Sequence, residues 1–61
     1  MTIQEIKRII KKKIISQMII TESAVKNDSY RIAYESINLA KAYIMLINEI
    51  QEGENNASIK Q

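Results

Sequence analysis

Between Met1 and Glu52 the chain contains neither proline nor glycine; its one glycine is Gly53. These two residues punctuate most chains. Proline fixes φ and lacks an amide hydrogen, and glycine reaches the left-handed conformations that tight turns need. Without them β-hairpins are hard to turn, and no strong breaker interrupts a helix before Gly53. Isoleucine is abundant and is a good strand former, so a β reading must be answered. Ile9-Ile10, Ile14-Ile15 and Ile19-Ile20 recur every five residues. They do not alternate with polar residues, as a half-buried strand would. The chain reads as all-α.

The helix boundaries follow from caps and periodicity. Thr2-Ile3-Gln4-Glu5 has the form of a capping box, in which Thr2 accepts from the Glu5 amide. Ile3, Ile6, Ile10, Ile14 and Met18 then form one stripe at spacings of three and four, continued by Thr21, Ala24 and Val25. The first helix is expected over about 3–26. Lys26-Asn27-Asp28-Ser29 is the turn cluster, with Asp28 or Ser29 capping the next helix. That helix, about 29–52, carries Ala33, Ile37, Ala40, Ile44 and Ile47 on one stripe and is expected to stop where Gly53 takes a left-handed cap. Residues 1–53 make one helical hairpin, and 54–61 read as a flexible polar tail.

Two helices of about 24 residues, each roughly 36 Å long, joined by a short turn must lie antiparallel. Charge supports the pairing. Residues 1–26 hold six of the nine cations and two of the seven acids. The basic start of the first helix therefore lies beside Glu49, Glu52 and Glu54.

A hairpin alone is not expected to suffice. Sixty-one residues bury too little surface for a comfortable core. With no cysteine and no histidine, neither disulfides nor an ordinary zinc site is available, and self-association remains. Each helix also carries more apolar surface than one neighbour covers. Ile15, Ile19 and Ile20 lie outside the first stripe of helix one. Ile32, Leu39, Tyr43, Leu46 and Ile50 form a second stripe on helix two, and Arg31, Glu35, Asn38, Glu49 and Glu52 fill its solvated remainder. These eight apolar residues are the expected oligomer interface, two hairpins docking into a four-helix bundle or a larger helical oligomer. A homodimer comes first, a tetramer or hexamer next, and a heteromeric partner third.

The residue set argues against an enzyme. Histidine and cysteine are missing, the serines have no base at a recognisable spacing, and no glycine loop can cradle a phosphate. No cofactor or metal is expected, and the E-x-x-H pairs of di-iron bundles are absent. No stretch approaches the roughly 18 apolar residues of a membrane span, and the lysines interrupting the N-terminal isoleucines argue against a signal peptide. A cytoplasmic protein is expected. Heavy use of Ile, Lys and Asn, with only Leu39 and Leu46 for leucine, fits an AT-rich genome such as those of many Gram-positive bacteria and their phages.

The candidate anion-binding residues are Lys7, Arg8, Lys11 and Lys12, which share an outward arc, while Lys13 points elsewhere. A doubled arc could hold nucleic acid or an anionic small ligand such as a nucleotide, with Tyr30, Tyr34 or Tyr43 for stacking. The plainer reading is a solvated face that keeps an isoleucine-rich helix soluble. A net charge of only +2 and the lack of a helix-turn-helix pattern favour it. Membrane-surface helices usually bring Trp or Phe, and this chain has neither. The expected function is that of a small non-enzymatic oligomer acting through protein–protein contact, as regulator, inhibitor or adaptor.

Overall fold

A computed structural model describes residues 1–60, with side chains described through Asn56. Two helices, α1 (Ile3–Lys26) and α2 (Tyr30–Lys60), pack against each other as an antiparallel hairpin. The cap expected at the start of α1 is present, with the Glu5 amide donating to Thr2 Oγ1 at 3.1 Å.

The turn is made without glycine. Asn27 closes α1, and Asp28 follows with φ 57°, the left-handed conformation that Asp and Asn tolerate better than other side chains. The Ser29 amide then donates to the Ala24 carbonyl at 2.8 Å and the Asp28 amide to the Val25 carbonyl at 3.1 Å. This crossed pair is a Schellman motif, and it satisfies carbonyls that the helix end would leave bare. Asp28 therefore ends α1. Ser29 takes the N-cap position of α2, its carbonyl accepting from the Ala33 amide at 3.1 Å.

The far end of α2 corrects the expected stop at residue 52. The helix continues through Gly53 to Lys60, and Gly53 does not have positive φ. The expected tail from Glu54 is thus helical as far as Lys60, and Gln61 lies outside the described residues. The physical reason is at Glu54. Lys7 Nζ meets Glu54 Oε1 at 2.8 Å, and the Lys7 side chain is only 13% exposed. Among the described residues this ion pair ties the first turns of α1 to α2 beyond the glycine, and only a helix continued past Gly53 puts Glu54 there.

The seam between the helices is rotated from the expected stripe. On α2 the buried or half-buried positions are Ala33, Ser36, Ala40, Tyr43, Ile47, Ile50 and Glu54, alternating at three and four. Ile37 and Ile44, expected in the core, are 41% and 46% exposed. On α1 the corresponding positions are Ile6, Lys7, Ile10, Ile14, Gln17, Thr21 and Ala24, while Met18 is exposed. Small side chains explain the rotation. Ala24, Ala33, Ser36 and Ala40 let the backbones approach closely near the turn, and the larger side chains are displaced to either side of the contact. At the centre of this tight region the Thr21 and Ser36 hydroxyls hydrogen-bond across the seam, and Ser36 is the most buried side chain at 3% exposure. Each hydroxyl also reaches a carbonyl of its own helix, Gln17 for Thr21 and Ala33 for Ser36, so whichever one donates across the seam, the other donates to its own helix.

The result is a plate, not a globule. The Cα trace measures 51 × 18 × 12 Å. Two helices packed side by side, with no third element over them among the described residues, make a single layer.

Candidate interaction surfaces

The plate has two broad sides, and both are apolar. On the first, Met18 of α1 faces Ile37, Ala40 and Ile44 of α2 across a shallow hollow of about 400 Å³, with Glu22 and Lys41 at its border. Seven residues beyond Ile44 on the same helix face comes Gln51, and seven before Met18 comes Lys11, so the side turns polar toward the open end, while toward the turn it continues through the exposed Val25 and Tyr30.

The second side begins at a hollow of about 370 Å³ near the turn, lined by Ile19, Ile20, Ser23, Ala24, Asn27, Ser29 and Ile32, none of them charged. Helical repetition carries it from Ile32 to Leu46 on α2 and from Ile20 back to Ile9 on α1. Leu39 and Leu46 follow Ile32 at steps of seven, and Ile9 precedes Ile20 by three turns. Ile9, Ile20, Ile32, Leu39 and Leu46 are all exposed. Lys13 is the lysine on this side, with a stem long enough to lie along it and reach water at the edge.

The eight residues expected to form an oligomer interface therefore divide. Ile20, Ile32, Leu39 and Leu46 share the long side, with Ile19 at the edge of its hollow. Tyr43 and Ile50 are half-buried at the intrachain seam instead. Ile15 lies elsewhere, in a groove with the cations.

That groove holds about 250 Å³ and is lined by Gln4, Lys7, Arg8, Lys11, Lys12 and Ile15. All four candidate anion-binding cations border it, but Lys7 is half-buried and engaged by Glu54, leaving Arg8, Lys11 and Lys12 as the exposed members of the arc. Among the described residues no three carboxylates converge as a metal ion would require. At the turn, Tyr30 and Tyr34 are exposed, and the Tyr30 hydroxyl donates to Asp28 Oδ1 at 2.9 Å. The remaining ion pairs, Glu22–Lys26 and Arg31–Glu35, are exposed i,i+4 contacts of the kind that contribute about 0.3–0.5 kcal/mol.

Sequence reasoning missed the polar seam. Gln17, Thr21 and Ser36 are buried or half-buried between the helices, and the signal for them was the strict alternation of three and four that runs through Ala33, Ser36, Ala40, Tyr43 and Ile47. Hydropathy alone favours the neighbouring Ile37 and Ile44.

By fold the chain is an all-α helical hairpin, and none of the described helices is long and apolar enough to cross a membrane. No protein family, curated protein or solved structure matches it.

Proposed function

We propose that this protein is a non-enzymatic interaction module, a hairpin that self-associates into a four-helix bundle and acts through protein–protein contact as a small regulator, inhibitor or adaptor. A homodimer is the simplest assembly. One observation carries the reading: a single helical layer with apolar residues on both sides. Stable domains bury such faces between two layers, the described residues supply one, and a second copy of the hairpin is the layer that this reading assigns. The magnitude agrees. A compact 7.0 kDa monomer exposes about 4,000 Å². This chain exposes 5004 Å², roughly 1,000 Å² more. One partner in a stable interface contributes about 800 Å². The absence of histidine and cysteine supports the non-enzymatic part.

A second reading is favoured by the groove that gathers Arg8, Lys11 and Lys12 beside Lys7: a module holding nucleic acid or an anionic small ligand. A salt titration separates the two. Apolar docking between hairpins changes little from about 50 to 200 mM salt, whereas binding of an oligonucleotide or nucleotide probe through phosphate contacts weakens steeply. The interaction-module reading expects self-association to persist across the titration and no saturable probe binding. Dissociation of the oligomer by salt, or tight salt-sensitive probe capture, would reverse the order of the two readings.

A further inference from the structure

The two sides of the plate offer different things to a second layer. The Met18 side carries Met18 and Val25 on α1 and Tyr30, Ile37 and Ile44 on α2. It is bordered by Glu22 and Lys41 and passes into Lys11 and Gln51. The opposite side runs from Ile32 through Leu39 and Leu46 on α2, about 21 Å of helix, and is matched on α1 by Ile20 and Ile9. Interface centres are poor in charge, and the long side carries one charged residue, Lys13, against Glu22, Lys41 and Lys11 on the Met18 side.

The intrachain seam points the same way. Lys7, Gln17, Thr21, Ser36, Tyr43 and Glu54 make it partly polar, while Ile9, Ile20, Ile32, Leu39 and Leu46 give the long side five exposed aliphatic side chains beside Lys13, Ser23 and Asn27. The surface that most resembles a hydrophobic core lies outside the single chain. We propose that a second copy of this chain docks along the side formed by Ile9, Ile20, Ile32, Leu39 and Leu46, and that the Met18/Ile37/Ile44 side stays outside that interface. The assignment rests on the self-association proposed above. It adds which side carries the association, and the excess surface of roughly 1,000 Å² is enough for one such interface per chain.

The chain has no cysteine, so single thiols can be placed without background. The Leu39→Cys and Ile37→Cys variants test the two sides, each read by the rate of maleimide labelling at high and at low chain concentration, alongside the mass of the unsubstituted protein. At the concentration where the mass exceeds that of one chain, labelling of the Leu39→Cys variant should be at least tenfold slower than on dilution, and labelling of the Ile37→Cys variant unchanged. Protection at position 37 and not 39 would overturn the assignment and leave self-association standing. Protection at both positions would overturn it as well, since both sides would then be covered. Labelling of both variants at one fast rate, with the unsubstituted chain clearly oligomeric, would also overturn it. The same fast rate with a mass of 7.0 kDa at every concentration would instead remove the self-association on which it rests.

Discussion

Replacing Gly53 by alanine tests the hairpin where sequence and structure part. Glycine in a helix interior is less favourable than alanine by about 0.5–1 kcal/mol, because more backbone freedom is lost on folding. At position 53 the usual penalties for adding a methyl are absent. The residue is exposed, it lacks positive φ, and a Cβ there meets no atom within 4 Å. The new methyl group would enter the open hollow bordered by Ile3, Ile6, Ile50 and Glu54. Gly53→Ala should therefore stabilise the protein by about 0.5–1 kcal/mol. For a domain of this size, about 4–8 °C per kcal/mol translates that into a Tm higher by about 2–8 °C. The assay is thermal and urea unfolding followed by circular dichroism, at matched chain concentration because self-association makes stability concentration-dependent. If Gly53 instead ended α2 in a left-handed cap, alanine would cost about 1–2 kcal/mol. A lower Tm for Gly53→Ala would refute the continuous helix and restore the stop at residue 52.

Asp28→Gly should raise stability by about 0.5–1 kcal/mol in the same assay, because glycine removes the left-handed strain at φ 57°; loss of stability would mean that the aspartate side chain is needed in the turn. Leu46→Asp should dissociate the oligomer and largely unfold it, since an unpaired charge at a buried contact costs several kcal/mol, whereas Glu35→Ala, which removes only an exposed pair with Arg31, should do neither; equal tolerance, by sedimentation and circular dichroism, would show that the apolar side is not buried. Changing Arg8, Lys11 and Lys12 together to Gln should leave oligomer mass and helicity intact, while a phosphate site would lose its anionic probe and about one unit of salt slope per lost contact.

The sequence carried the fold class because nothing interrupts helix before Gly53 and because Thr2 and the Asn27-Asp28-Ser29 cluster mark helix ends by local hydrogen bonding. Those signals are short-range, and they placed α1 and the turn within a residue. The end of α2 was misread for the opposite reason. Gly53 is a stop signal locally, and what outweighs it is Glu54 reaching Lys7 on the other helix, a contact 47 residues away in the chain. The seam failed similarly. Hydropathy ranks Ile37 and Ile44 above Ser36 and Tyr43, but close approach of two helices selects small residues for the contact. The same displacement moves Lys7 from the outward cation arc into the helix border. The long apolar side was legible as Ile32, Leu39 and Leu46, since repetition at seven depends only on helix geometry.

The central claim is that one hairpin is half of a folded unit. Its most direct test is the mass of the unsubstituted protein by multi-angle light scattering at micromolar concentration, with helicity measured on the same sample. The account predicts at least twice the 7.0 kDa of the chain, and loss of helicity as dilution separates the copies. A stable, fully helical particle of 7.0 kDa at those concentrations would contradict it.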